Sequence, residues 1–399
     1  MTVVGPQREL PSRMGSYELL RPIAQGGMAD LDLARRVGPG QFERHVAVKV
    51  LNRVRAADPE ACAMFLDEAR LVALLNHHHI ASVFEVDVVD GKHYLAMEYV
   101  HGADLREVLA RAQDAGGLPP FEAALSIVCA AAAGLDHAHR RCGLDGRPLR
   151  LVHRDVSLSN IMVGHDGSVK VIDFGIASTT IASVHTLPGV VRGKASYMSP
   201  EQCLGDPVDQ RCDVFALGVV LYELTTGARC FAGKTDFERM LAVVQGDYIA
   251  PSDLVASYPA ELEAVIRTAL ATDPQQRFAS AAALIEALQR VAIGQGWIGG
   301  PGVIQRAMCA LFGDVPEPWT SPTDDAPATE RHAILSSIPS RSDATPVSSP
   351  VSLPRINEPT RPARRLARGT ESDLWADELD ERTRGRGPVR RPVRPWLAA

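Results

Sequence analysis

The chain has 399 residues, of which 46% are hydrophobic, and its formal net charge at pH 7 is −6. This length accommodates a large catalytic domain with an appendage, and the negative charge argues against nucleic acid or an anionic membrane as a general partner. The sequence has no 18-residue apolar run, and its N-terminus lacks the order of a signal peptide, so we expect a cytoplasmic protein with no membrane partner. Its seven cysteines form no C-x-x-C pair, which predicts reduced thiols rather than a zinc site.

The first hundred residues predict a small sheet. Residues 1–16 are interpreted as a flexible leader, and from residue 17 to about 100 short runs rich in Val and Leu alternate with turn signals. One stretch, PEACAMFLDEARLVALLN, interrupts these runs with apolar residues at helical spacing and a glutamate in its first turn. We therefore predict an antiparallel sheet accompanied by one helix.

The pattern becomes helical after residue 102. Several stretches have the small, apolar side chains of buried helices, among them ALSIVCAAAAGLDHAHRR and DVFALGVVLYELTTG. Helical segments continue to about residue 290. The fold class predicted for these residues is α+β.

The last hundred residues differ in composition. Residues 291–320 predict a short appended helical segment, whereas 321–399 contain eleven of the 28 prolines, mixed with Ser, Thr and Arg, and predict a disordered tail. The closing stretch RGRGPVRRPVRPWLAA carries five arginines and no acidic residue. It is either a solvated terminus or a docking segment for an acidic partner.

The stretch IAQGGMADLDLA (23–34) predicts a strand, a turn and a second strand. Gly26 and Gly27 lie at the centre of the turn, and Ala24 and Ala29 occupy its outer positions. A plain hairpin explains this stretch equally well when it is taken alone.

The stretch VAVK (46–49) places Lys49 on an otherwise apolar strand. An inward lysine costs several kcal/mol unless it is paired. Glu68, nineteen residues later, lies on the one helix predicted for this region. The sequence therefore predicts an ion pair between them, with an exposed surface pair as the alternative.

Two carboxylates and an amide follow in the helical region. HRDVSLSN (153–160) contains Asp155 and Asn160, and IDFG (172–175) contains Asp173. Such a hard oxygen set suits magnesium, for which manganese can substitute, better than zinc.

These motifs are followed by SYMSPEQ, DVFALG and DPQQRF, and in this order and spacing they resemble the bacterial Hanks-type serine/threonine protein kinases over residues 17–290. HRDVS followed by GK-x-x-YMSPEQ is similar to a myxobacterial-type variant of that family. The resemblance implies a two-lobed protein kinase fold, with a β-rich small lobe at about 17–100, a helical large lobe at 101–290 and ATP in the cleft.

The resemblance also implies roles for individual residues. Asp155 would accept the proton of the attacking hydroxyl, and Asn160 and Asp173 would hold the magnesium ion. Lys49 and Glu68 would hold the phosphates of ATP. The residues implied at the ATP site are Ala24, Gly26, Gly27, Leu31, Ala47, Lys49, Glu68, the gatekeeper Met97, the hinge residues Glu98 and Val100, the ribose contact Asp104, and Met162. The structural anchors implied are Glu201, Asp213 and Arg277, with Arg277 paired to Glu201.

The catalytic loop departs from the family pattern H-R-D-x-K-x-x-N because Ser157 replaces the lysine. The later segment GKASY has Lys194 where the family pattern has threonine. These two positions normally touch, and the chain contains only five lysines. We therefore predict an exchange in which Lys194 supplies the cation beside the γ-phosphate and bonds to Asp155 or Ser157. The alternative is that Lys194 points to solvent.

Arg154 and Thr186 suggest regulation. An arginine before the catalytic aspartate can bind a phosphate on the activation loop, and Thr186 lies seven residues before Gly193, a position at which bacterial kinases of this type are often autophosphorylated. Self-association for autophosphorylation in trans is part of this prediction.

Two rival functions stay open from the sequence. Ala24 and Ala29 stand where the family's glycine-rich loop has its outer glycines, and Ser157 stands where the family has lysine. These departures are compatible with a pseudokinase that binds nucleotide as a scaffold. A small-molecule kinase of related fold is the second rival, although YMSPEQ and its arginine partner indicate a groove for protein substrates.

Overall fold

A computed structural model describes residues 13–26, 29–143, 145–174 and 194–319, without the side chains of Gln41, Arg53, Val54 and Lys194. Within these residues the chain forms a sheet-rich small lobe followed by a helical large lobe, the α+β architecture predicted from the sequence. Most of the predicted leader, Gly27, Thr186 and the predicted tail at 321–399 lie outside them.

The small lobe is built on a six-stranded antiparallel sheet. Its strands are β1 (Arg13–Met14), β2 (Tyr17–Gln25), β3 (Ala29–Val37), β4 (Glu43–Leu51), β5 (Val83–Val89) and β6 (Lys92–Glu98). The strand order is β1-β2-β3-β4-β6-β5. β1 falls inside the predicted leader, where Arg13 pairs with Glu18 and Met14 with Tyr17.

Two helices follow β4, where the sequence predicted one. The first, α1 (Arg53–Ala56), is a single turn that begins where the Asn52 side chain accepts a hydrogen bond from the Arg55 amide at 3.0 Å. The second, α2 (Pro59–Val72), begins with proline at its first position, and the Asp58 side chain accepts from the Glu60 amide.

Alternate residues of β4 face opposite sides of the sheet. The hydrophobic cluster on one side contains Met14, Tyr17, Leu19, Ala34, Val46, Val48, Val50, Tyr94 and Ala96. Leu51 belongs instead to the cluster that includes Phe65 of α2. Lys49 is two residues from Leu51, so the pleat directs it to the side of the sheet that α2 covers.

The large lobe combines a small sheet with nine helices within the described residues. The antiparallel sheet consists of β7 (Gly102–Asp104), β8 (Ile161–Gly164) and β9 (Val169–Val171) in that order. The helices are α3 (Leu105–Asp114), α4 (Phe121–His139), α5 (Pro200–Leu204), α6 (Arg211–Thr226), α7 (Asp236–Gln245), α8 (Pro251–Leu254), α9 (Ala260–Ala269), α10 (Ala281–Gln295) and α11 (Pro301–Phe312).

The core of the large lobe forms around α4 and α6. Of the described helices, α4 alone is long and apolar enough to span a membrane, and most of its residues are buried inside the protein. Its small residues permit close packing, since a Cβ on Gly134 would lie 2.9 Å from the His79 carbonyl oxygen. α4 therefore serves as the central helix of the core.

Candidate active site

Lys49 of β4 lies between two carboxylates where the lobes meet. Its Nζ is 2.8 Å from Asp173 Oδ1 and 3.9 Å from Glu68 Oε1. Glu68 is within reach because α2 covers the side of the sheet that Lys49 faces. Asp173 follows β9 with a φ of 52°, a left-handed conformation that is uncommon outside glycine and often found at functional sites. The structure thus brings together three residues predicted for the ATP site.

The charges around Lys49 keep it protonated. Burial alone would lower the pKa of Lys49, but the carboxylates of Asp173 and Glu68 outweigh burial and raise the pKa above its ordinary value. The Asp155 carboxylate also raises the pKa of Lys49, as the smallest of these contributions. A fixed cation in this position can bind phosphate oxygens through charge-assisted hydrogen bonds.

Asp155 and Asn160 are held together in the catalytic loop. Asn160 Nδ2 donates to the backbone carbonyl of Asp155 at 2.7 Å and to its carboxylate Oδ2 at 3.0 Å. Because the amide hydrogens are used in this way, the amide oxygen is the group that Asn160 can offer to a cation. That oxygen accepts a hydrogen bond from Ser159 at 3.3 Å.

The predicted anchor Asp213, in α6, fixes the backbone of the catalytic loop. Its carboxylate accepts hydrogen bonds from the amides of His153 at 2.9 Å and Arg154 at 2.8 Å, and from His139 Nε2 at 2.7 Å. Burial alone would raise the pKa of Asp213, but the hydrogen bond from His139 and its other donors outweigh burial and lower it. The charged carboxylate therefore holds Arg154 in its left-handed conformation, at a φ of 65°.

Ser157, the residue that replaces the family lysine, is buried. Its side chain exchanges a 2.9 Å hydrogen bond with Ser159. Lys194 begins a short 3₁₀ turn ending at Tyr197, and its side chain lies outside the described residues. The proposed exchange between Ser157 and Lys194 therefore stays a prediction, as does the pairing of Arg154 with Thr186.

The predicted hinge begins with Met97 and Glu98, the last two residues of β6. Met97 pairs with Ala47 of β4 across the sheet. The Glu98 amide donates to the Ser82 carbonyl at 2.8 Å and is therefore already bonded. The carbonyl of Glu98 is the backbone group that could contact adenine, by accepting from its amino group. Val100 lies two residues beyond, between the strand and β7.

Glu98 also has a side-chain role that sequence reasoning missed. Its carboxylate lies 2.8 Å from Lys170 Nζ and accepts from the Ser82 amide at 3.1 Å. Lys170 is on β9, three residues before Asp173, so this ion pair ties the hinge to the strand that leads to the predicted metal ligand. The scarcity of lysine in this chain marks Lys170 as an informative residue, although it does not identify Glu98 as its partner.

Several more of the predicted ATP-site residues lie on strands of the two sheets. Leu31 of β3 is opposite Lys49 and Ala24. Met162 of β8 is opposite Asp104 of β7. The Asp104 side chain caps α3 by accepting from the Glu107 amide at 3.0 Å. Its proposed ribose contact would be a second role.

Gly26 shows why glycine is needed in the first turn. Its amide donates to the Ala29 carbonyl at 3.1 Å, and a Cβ at this position would lie 2.8 Å from the same oxygen. Glycine is therefore favoured by the tight turn itself, and an accompanying role toward phosphate is a proposal.

Glu201 and Arg277 form the ion pair expected from the sequence. Arg277 donates to both carboxylate oxygens of Glu201, at 2.8 and 2.7 Å, and neither side chain is more than 8% exposed. Arg277 also donates to the carbonyls of Ala271 and Thr272. Such a bidentate buried pair fixes the segment that contains SPEQ against the large lobe.

The donor set fits magnesium. Asp173 offers a carboxylate and Asn160 an amide oxygen, both hard ligands, and magnesium in nucleotide sites is held by one or two protein ligands together with phosphates. In the part of the chain that the structure describes, no cluster of three or more His, Cys, Asp or Glu could hold a metal by itself.

Comparisons with known proteins agree with this geometry. The family model for the protein kinase domain matches residues 17–288. Among curated relatives, tyrosine-protein kinase MasK of Myxococcus xanthus is 41% identical over 275 residues, or 69% of this chain and 43% of MasK. Serine/threonine-protein kinase PknB of Mycobacterium leprae is 38% identical over 290 residues, or 71% of this chain and 44% of PknB.

A solved structure gives the same result. The kinase domain of PknI from Mycobacterium tuberculosis, in a variant form, superposes with a TM-score of 0.54 at 30% identity, covering 71% of this chain and 99% of the PknI chain. The chain spans less than half the length of the curated relatives it matches. The match covers more than half of this chain, and the fold predicted from the sequence is confirmed. The chain therefore belongs to the protein kinase family, with bacterial Hanks-type kinases as its relatives.

Proposed function

We propose that this chain transfers the γ-phosphoryl group of Mg²⁺-ATP to serine or threonine hydroxyls of protein substrates. The observation that carries this proposal is the contact of Lys49 with both Asp173 and Glu68, in the cleft that also holds Asp155. A phosphoryl-transfer site needs a cation on the phosphates, hard metal ligands and a base, and this cleft combines all three.

The proposed step is a single displacement. The substrate hydroxyl oxygen forms a bond to the γ-phosphorus while the bond from that phosphorus to the β–γ bridging oxygen breaks, and ADP leaves. Asp155 receives the hydroxyl proton, and Lys49 stabilises charge on the phosphates. Asn160 and Asp173 would hold the magnesium ion, which supplies neutralisation of phosphate charge when bound.

Serine/threonine specificity is the finer part of the proposal. PknB and PrkC carry serine/threonine in their names, while MasK is named a tyrosine kinase. Two of these three relatives favour serine or threonine, as does the resemblance of the catalytic motifs. Phosphoamino-acid analysis of a phosphorylated protein substrate decides between the two classes.

Regulation and location complete the proposal. Autophosphorylation of Thr186, with Arg154 binding the phosphate, would order the activation loop, and self-association would allow this reaction in trans.

All seven cysteines are free thiols, which accords with a reducing cytoplasm. The basic C-terminal stretch is proposed to dock an acidic partner in bacterial signal transduction.

The test is a phosphorylation assay with radiolabelled ATP and a generic protein substrate. Wild type should label the substrate and itself in the presence of Mg²⁺, and Asp155→Asn should label neither while still binding nucleotide. Mass spectrometry of the labelled wild type should find phosphate on Thr186. Nucleotide binding without transfer by the wild type would instead favour the pseudokinase suggested by Ala24, Ala29 and Ser157.

A further inference from the structure

The chain continues beyond the matched kinase region and folds onto the large lobe. The Gly300 amide donates to Ser126 Oγ of α4 at 3.0 Å, and α11 follows at once. Its buried residues are Val303, Ile304 and Met308. This helix is thereby anchored to the back of the large lobe.

The start of α11 also contacts the turn between β8 and β9. Gly167, at the tip of this turn, has a φ of 83°, and a Cβ there would lie 2.2 Å from the Pro301 carbonyl and 3.0 Å from the Gln305 amide. The end of α11 is held in a second place, where the Phe312 ring packs edge-on against His165 at 5.5 Å and lies under the Arg111 guanidinium at 5.4 Å. Contacts at both ends fix the direction in which the chain leaves the helix.

Residues 313–319 then run from the large lobe to the small lobe. His101, just after the hinge, donates from Nε2 to the Val315 carbonyl at 3.0 Å. Trp319 stacks on His45 of β4, with ring centroids 4.0 Å apart and planes within 6°, and packs edge-on against Tyr99 at 5.8 Å. We name residues 313–319 the hinge strap, because they contact β4, the hinge and the start of β7.

The strap touches Tyr99, the residue between the two hinge residues that the family resemblance assigns to the ATP site. Tyr99 lies between Glu98 and Val100, so its ring position and their backbone positions are coupled through two peptide planes. On the other side, Lys170 holds the Glu98 side chain at 2.8 Å. The hinge is therefore held by an ion pair with β9 and by an aromatic contact with the strap.

We propose that the hinge strap is a positioning element for nucleotide binding, and that Trp319 is its positioning residue. The inference rests on the proposed function, since it assumes that adenine binds along Glu98 and Val100. Trp319 touches no reacting atom and acts through Tyr99 and His45. Its removal should loosen the adenine contacts while leaving the phosphoryl-transfer residues in place.

The test compares three variants in the full chain. Trp319→Ala removes both ring contacts, Trp319→Phe keeps an aromatic ring, and Trp297→Ala is the matched control. Trp297 lies in the same C-terminal extension but stacks on Phe121 of the large lobe, at 5.4 Å and 9°. For each protein, KM for ATP and kcat are measured separately, together with the Kd of a non-hydrolysable ATP analogue.

The expected result is a rise of about three- to tenfold in both KM and Kd for Trp319→Ala, the size of effect that an aromatic pair supplies, with kcat within about twofold of wild type. Trp319→Phe should recover most of the affinity, and Trp297→Ala should lower the melting temperature without raising KM.

Wild-type KM and Kd in Trp319→Ala, or an equal rise in Trp297→Ala, would overturn the inference. Failure of the proposed function is seen separately, as absence of phosphoryl transfer by the wild type. The Kd of the analogue still reports on the strap in that case.

Discussion

Asn160 donates a 3.0 Å hydrogen bond from its side-chain amide to the carboxylate of Asp155. One residue thus orients the proposed base and offers its amide oxygen to the proposed metal. Removal of Asn160 should therefore reduce activity more than removal of a residue that only binds the metal.

We expect Asn160→Ala to reduce kcat on the order of a hundredfold or more, because the carboxylate of Asp155 loses its orienting donor and the metal loses a ligand. The magnesium concentration that gives half-maximal rate should also rise. Ser159→Ala is the control, since it removes the hydrogen bonds of Ser159 to the Asn160 oxygen and to Ser157 but leaves both donations from Asn160 to Asp155 in place. An Asn160→Ala enzyme with unaltered kcat and magnesium dependence would rule out both duties.

The buried pair of Arg277 and Glu201 predicts a large effect on stability. Arg277→Met leaves the Glu201 carboxylate without its bidentate partner in a buried site, so we expect the free energy of unfolding to fall by about 3–5 kcal/mol. Arg267→Met is a matched control, because the arginine of its pair with Glu263 is 69% exposed. It should change stability by less than about 1 kcal/mol. Urea unfolding of both variants measures the difference, and equal losses would contradict the assignment.

The same pair predicts a dependence on pH. Burial alone would raise the pKa of Glu201, but the hydrogen bonds from Arg277 outweigh it and hold the pKa below its ordinary value of 4.5. Because the folded pKa is the lower one, the stabilisation is complete above the ordinary value and is lost as pH falls through the folded pKa. The difference in unfolding free energy between wild type and Glu201→Gln should therefore shrink on acidification below about pH 4.5. A difference in unfolding free energy that stays constant across this range would show that folding does not change the pKa of Glu201.

The ion pair of Glu98 with Lys170 predicts coupling between the hinge and β9. Both side chains are less than one third exposed, at 28% and 14%, so a double-mutant cycle with Glu98→Gln and Lys170→Met should give a coupling energy of about 1–2 kcal/mol. Each single variant should also raise KM for ATP, because the hinge loses an internal restraint. Additive effects of the two substitutions on stability and on KM would show that the pair does not act as a unit.

The sequence pointed to the proposed catalytic groups because each has a local pattern. Lys49 stands out as a charge on an apolar strand, and Asp155, Asn160 and Asp173 occur in short motifs whose order is informative. The order of a sheet followed by helices could also be predicted, since hydrophobic periodicity is a property of short windows of sequence.

The contacts that sequence reasoning missed join residues far apart in the chain. His101 and Val315 are 214 residues apart, and no local pattern marks either as a partner of the other. The same holds for Trp319 with His45, and for Glu98 with Lys170. α11 could be foreseen as a helix, but the surface it covers depends on where α4 and the β8–β9 turn lie in the folded protein. Pairing of this kind follows from tertiary packing, which periodicity does not encode.

The exchange between Ser157 and Lys194 gives the last prediction. If Lys194 supplies the cation that the family places at position 157, Lys194→Ala should lower kcat on the order of a hundredfold with a smaller effect on KM. Lys234→Ala is a suitable control, because Lys234 is exposed in the large lobe and should leave kcat unchanged.

A reciprocal variant makes the test specific. Ser157→Lys combined with Lys194→Thr restores the family arrangement, and it should recover much of the activity that Lys194→Thr alone loses. Ser157 is 3% exposed and bonded to Ser159, so Ser157→Lys alone should be unfavourable, since it buries a second cation near the first. Non-additive recovery in the double variant is the signature of two residues that share one position in the site. Simple addition of the two losses would mean that Ser157 and Lys194 do not share one position in the site.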